Sequence, residues 1–282
     1  MKRFGMERND FHLQTEDGVR LACSVWKAAA PRGLLIWLHG YAEHRLRYEH
    51  FGEWLSDRNL SFAALDFRGH GASEGPRGYV KTFEDYFLDV DALLKYCREE
   101  LGVPAPALGA HSNGGLVALR YILEHPEIPF PSLVLTSPHL GLAFKPAAWK
   151  LALGHILKKV YPRFTLPNGV NPDHTAKDKT QARLYATDPL IHRVATAGFF
   201  FSSLENLKTA VKRAGEIKLP LLHMISPLDQ MANPITSRAF FESVGSRDKR
   251  KIEYEDKYHE ILQEPGKEEL YETIQEWILE RL

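Results

Sequence analysis

Cysteine is scarce in this chain: Cys23 and Cys97 are the only two in 282 residues, and neither has metal-ligand spacing. That excludes a disulfide framework and a cysteine-ligated zinc site. An excess of either charge is also missing, because 36 basic side chains balance 36 acidic ones. Composition therefore gives no general attraction to nucleic acid or to an anionic membrane, and no nucleic-acid partner is expected. No apolar run follows Lys2 and Arg3 that could serve as a signal peptide, and no window is long enough to span a bilayer. Internal repeats, low-complexity tracts and long like-charge runs are absent too. The expectation is a cytoplasmic globular protein without metal or cofactor. What the chain does have is apolar substance, 44% hydrophobic and 11% aromatic residues, ample for a buried core. Its length suits one core with one insertion.

Periodicity gives the organisation. Two stretches, 12–15 and 21–26, flank Glu16-Asp17-Gly18 and read as an antiparallel hairpin at a sheet edge. Beyond Gly33, short continuous apolar runs at 34–38, 62–65, 105–110, 133–135 and 219–225 alternate with helical patterns at 44–57, 83–100, 114–124, 234–244 and 265–282. Strands apolar on both faces belong to a parallel sheet covered on both sides. The fold class is α/β, a mostly parallel doubly wound sheet with an antiparallel N-terminal edge. More than eighty residues between Leu135 and Leu219 break the rhythm, too many for a βα crossover. Within them Trp149, Leu153, Ile156, Leu157 and Val160 form one helical stripe, with Lys158 and Lys159 outside it. Residues 140–207 are expected to be an inserted cap, and 1–139 with 208–282 the core.

Ala110-His111-Ser112-Asn113-Gly114 falls between a strand and a helix and matches the nucleophile elbow G-x-S-x-G, with Ala110 in the first glycine position. Small residues at 110 and 114 relieve the crowding of a tight turn that strains the serine. The bland reading is a strand-to-helix turn with a capping serine. A serine hydroxyl is a weak nucleophile and requires a histidine base, itself oriented by a carboxylate. Asp229 follows the late run 219–225, and His259 follows 252–254, in the chain order serine, acid, histidine. Asp256 is a rival acid, but its place three residues before His259 suits a turn residue. Backbone amides of Tyr41, after the first parallel strand, and Asn113, after the nucleophile, are the expected oxyanion donors. Asp66, Arg68 and His70 read as parts of a structural turn, Glu43 and His44 as helix-start residues, and Phe199-Phe200-Phe201 as a small core of the cap or, alternatively, the lining of an acyl channel.

With these residues in view, the chain resembles the monoacylglycerol lipase and lysophospholipase group of the α/β-hydrolase superfamily, the serine aminopeptidase S33-type hydrolases. The likeness covers nearly the whole sequence. His39-Gly40-Tyr41-Ala42-Glu43-His44 with Arg47-Tyr48 is similar to the group's oxyanion segment, Asp66-Phe67-Arg68-Gly69-His70-Gly71 to its next signature, and Asp188-Pro189-Leu190-Ile191 to its cap. The resemblance implies Ser112, Asp229 and His259 as triad and Tyr41 and Asn113 as oxyanion hole. Ala110 and Asn113 depart from the group's usual glycine and methionine, and Asn113 bears on pocket polarity.

The expected function is hydrolysis of a carboxylic ester, most of all a monoacylglycerol, through an acyl-enzyme on Ser112. The substrate is a small-molecule ester, a single-chain acyl lipid. A lysophospholipase and a small-ester carboxylesterase are the alternatives, with a peptidase and a non-catalytic binding protein on the same fold behind them. Transient contact of the cap stripe with a membrane surface is a further expectation.

Overall fold

A computed structural model describes residues 8–143, 154, 156–158 and 160–282. An eight-stranded sheet organises it. Strands β1 (Arg8–Gln14) and β2 (Arg20–Trp26) form the antiparallel edge hairpin. Strands β3 (Gly33–Leu38), β4 (Leu60–Leu65), β5 (Ala107–His111) and β6 (Leu133–Thr136) follow. A separate antiparallel pair, β7 (Thr165–Pro167) with β8 (Val194–Thr196), stands outside the sheet, and β9 (Leu221–Ile225) and β10 (Lys249–Glu253) complete it. The order is β1-β2-β4-β3-β5-β6-β9-β10, with every pairing from β4 to β10 parallel.

The continuous apolar runs have the two-sided burial they predict. Leu34, Ile36 and Leu38 join one core with α2 (Asp85–Glu99) and α3 (Ser112–Glu124). Leu35 and Trp37 point the other way, to a second core with α1 (Glu49–Ser56) and α7 (Lys267–Leu279). Alternation along one strand thus feeds both faces, as a pleat requires. β10 does not read as an apolar run because it is Lys-Arg-Lys-Ile-Glu, an edge strand whose charges discourage further pairing.

Between β6 and β9 the chain holds β7, α4 (Lys179–Thr187), β8 and α5 (Ala197–Lys212), ahead of α6 (Pro234–Ser243) after β9. Helix α5 runs unbroken through residue 207: Phe199 and Ser203 line a cavity, and Phe199 and Ala210 both pack into the main core. Of the predicted apolar stripe, Trp149 and Leu153 lie outside the described residues, as does Lys159. Ile156 and Val160 are 60% and 77% exposed.

Candidate active site

Four strands deliver the candidate residues at their C-terminal ends: β3 leads to Tyr41, β5 to Ser112, β9 to Asp229 and β10 to His259. The turn at Ser112 is forced by the join of β5 directly to α3, and it puts Ser112 at φ 49°, in the left-handed region. A side chain on Gly114 would meet the carbonyl oxygens of Leu38 and His39, so helix and strand approach closely only because that position is bare. Ala110 is fully buried within β5, opposite Leu38 and Leu135.

His259 Nε2 lies 2.9 Å from Ser112 Oγ, and its Nδ1 lies 2.7 Å from Asp229 Oδ2. The other oxygen of Asp229 accepts the amides of Met231 (2.7 Å) and Ala232 (2.9 Å), which fixes the carboxylate against rotation. Burial disfavours the imidazolium of His259, but the charge and hydrogen bond of Asp229, helped by Glu260 and Glu43, outweigh it and raise the pKa. Its neighbours go the other way. Burial and the field of His259 push His111 and His139 down to about 4, so both rings are neutral at pH 7. Asp256 is 72% exposed at its side chain and pairs with Lys257, away from this relay.

Tyr41 and Asn113 both line the cavity at Ser112. Asn113 is the second residue of α3, where a backbone N–H has no intrahelical acceptor. The peptide carrying the Tyr41 N–H is held from its other side, because its carbonyl, that of Gly40, lies 2.7 Å from His39 Nδ1. His39 Nε2 accepts the Phe67 amide at 3.0 Å, which leaves the proton on Nδ1 to donate to Gly40. The Tyr41 side chain, which the backbone role alone does not require, is anchored as well: its hydroxyl donates to Val194 (2.9 Å) and its ring stacks on Phe199 with centroids 4.1 Å apart. The insertion is tied to the same loop by the His192 amide to Ala42 (3.1 Å) and by His44 Nε2 against Asp188 Oδ2 (2.8 Å).

Several residues take roles that the sequence did not disclose. Glu43, directly before the His44 N-cap of the helical turn Arg45–Tyr48, is also a buried carboxylate on the cavity wall, as is Glu260, and Arg47 pairs with both. The i, i+4 spacing of Glu43 and Arg47 is a local signal for that pair. Glu260 is far away in sequence and had none. Phe199 and Phe200 line the cavity, the alternative place the sequence offered them, and Phe201 is buried. Asp66 and Arg68 do hold a turn: Asp66 accepts the amides of Arg45 and Ala72, and Arg68 pairs with Asp17 and Asp89. Among the described residues no cluster of metal-ligating side chains occurs.

Residues 29–266 match the family described as serine aminopeptidase, S33. The chain belongs to this family. It is 31% identical to human monoglyceride lipase over 277 residues, covering 96% of this chain and 90% of that one. A Bacillus subtilis phospholipase is 27% identical over 88% of this chain and 96% of its own. Among solved structures, the monoacylglycerol lipase of Paleococcus ferrophilus superposes with a TM-score of 0.84 at 30% identity, covering 94% of this chain and 99% of that one. The fold is that of the α/β-hydrolases, and family membership makes the protein a serine hydrolase.

Proposed function

We propose that the protein is a monoacylglycerol lipase, with Ser112, His259 and Asp229 as its triad and the Tyr41 and Asn113 amides as its oxyanion hole. The observation that carries this reading is the Ser112–His259–Asp229 relay at the wall of a cleft lined by both apolar and polar side chains. Leu142, Phe199, Phe200, Leu204 and Met231 are apolar lining, suited to an acyl chain. Asn168, Asn171, His174 and Tyr185 are polar lining, suited to hydroxyl groups. The named relatives support the same class of substrate.

In this mechanism His259 takes the Ser112 proton as Oγ attacks the ester carbonyl, and the oxyanion forms against the two amides. Asp229 stabilises the imidazolium, which then protonates the departing glycerol oxygen. A water deprotonated by His259 attacks the acyl-enzyme, Ser112 recovers its proton, and the fatty acid leaves. Residues 140–207 act as a cap over the cleft.

The test is a hydrolysis panel of monoacylglycerols, lysophospholipids, short p-nitrophenyl esters and aminoacyl amides, run with Ser112→Ala and a fluorophosphonate probe. Monoacylglycerol as the best substrate, labelling at Ser112, and a kcat loss of roughly 10⁴ to 10⁶ in the alanine variant are expected. A folded protein that is not labelled at Ser112, or that prefers amides, overturns the reading.

We infer also that the insertion touches lipid surfaces. Ile156, Val160, Tyr161, Phe164 and Leu166 are exposed in one stretch of chain, which also holds the partly buried Lys158, paired with Glu205. Among the described residues no helix is long and apolar enough to cross a membrane.

A further inference from the structure

Glu43 has three donors on its two oxygens. Oε1 accepts the Gly40 amide at 2.5 Å and the Tyr48 hydroxyl at 2.7 Å, and Oε2 accepts Arg47 Nε at 3.1 Å. A carboxylate so occupied is a poor general base but a good anchor. What it anchors lies against the nucleophile: a Cβ on Gly40 would stand 3.2 Å from Ser112 Cβ and 2.9 Å from Glu43 Oε1. The Gly40 N–H and the Gly40 carbonyl flank the Cα that the peptide leading to Tyr41 pivots on. His39 holds the carbonyl, and Glu43 holds the N–H. On the far side Arg47 reaches Glu260, the residue after His259, and its guanidinium lies 5.0 Å over the Tyr185 ring. Gln263 Nε2 donates to the Arg47 carbonyl at 2.9 Å, a second tie between the same two segments.

We propose that Glu43 is a positioning residue for the oxyanion hole, holding the Gly40–Tyr41 segment at the distance from Ser112 that the transition state requires, and that Arg47 and Glu260 tie this carboxylate to the segment bearing His259. The proposal rests on the oxyanion hole described above. Its role is energetic because a hole loses its value when its donors must reorganise during reaction. Burial opposes the charge on Glu43, but Arg47 and the Tyr48 hydrogen bond, joined by His111 at the low pH where that ring is charged, outweigh it and hold the carboxyl below its usual range. An ionised acceptor gives the Gly40 bond its strength.

Three substitutions separate this role from folding. Glu43→Met keeps the length and removes the acceptor, Glu43→Asp keeps the charge and withdraws the acceptor by one methylene, and Glu43→Gln keeps an acceptor in place. On a p-nitrophenyl ester, Met and Asp should lower kcat by about 10- to 100-fold with KM within about twofold, and Gln should retain at least tenfold more activity than Met. A boronic acid, which forms a tetrahedral adduct on the serine, should lose affinity for the Met and Asp variants by the same factor. Should the Met variant fail to fold by thermal melting, the Asp and Gln comparison decides alone. An Asp variant with wild-type kcat, a loss confined to KM, or unchanged boronate affinity overturns the proposal. If the wild-type protein is not labelled by a fluorophosphonate, the nucleophile assignment has failed instead.

Discussion

Asp229 meets His259 through one oxygen only, at 2.7 Å, and gives its other oxygen to the amides of Met231 and Ala232. The carboxylate is therefore oriented by the backbone of its own loop before the histidine arrives, and charge rather than packing is what it adds to the base.

That division predicts a pH profile. In the proposed mechanism His259 must be neutral to accept the serine proton, and its pKa is raised above the ordinary 6.5, so kcat/KM should fall as pH drops through a value above 6.5. Asp229→Asn removes the largest opposing charge and leaves burial in place, so the pKa of His259 falls. The acid limb should then move to lower pH while kcat drops by about 10⁴. A limb that stays where it was would assign it to another group. His111 and His139, at about 4, should not contribute above pH 5.

The elbow gives a second prediction. Gly114→Ala drives a methyl group into the Leu38 and His39 carbonyl oxygens, backbone atoms that cannot turn aside. A stability loss of about 1–3 kcal/mol is expected in urea unfolding, together with loss of esterase activity. Ala110→Gly should cost no more than about 1 kcal/mol and leave kcat close to wild type. Equal tolerance at both positions would mean that the helix and strand are not in close contact.

Lipid contact through the insertion predicts co-sedimentation with phosphatidylcholine vesicles, weakened several-fold by Val160→Glu with no change in turnover of a short p-nitrophenyl ester. If vesicles neither bind the protein nor alter its rate on long-chain monoacylglycerol, the contact does not occur.

The sheet was legible wherever burial was two-sided. The runs at 34–38 and 219–225 announced themselves because both faces are covered, whereas β10, with two lysines, an arginine and a glutamate, left only Ile252 as a sign. Ser112, Asp229 and His259 could be named because a strand-end position and a fixed chain order are local features, and the structure sets them within hydrogen-bond reach of one another. Glu43, Glu260 and Tyr185 could not, since a wall of a cavity is assembled from segments far apart in sequence. The Asp188 segment carried a family likeness, but its pairing with His44 depends on how the insertion folds back.

Helix α5 also bears on how such chains can be recombined. Its first turns line the cleft, with Phe199 also reaching the core, and its later turns belong to the core, with Arg120 of α3 bonded to Asn206 at 2.8 Å. A graft that takes the insertion from a relative with another chain preference therefore has no seam near residue 207. Exchanges joined just after β6 and just before β9 move the whole helix and must bring along the partner for Arg120. Those joined within the helix divide a single rigid rod between two parents.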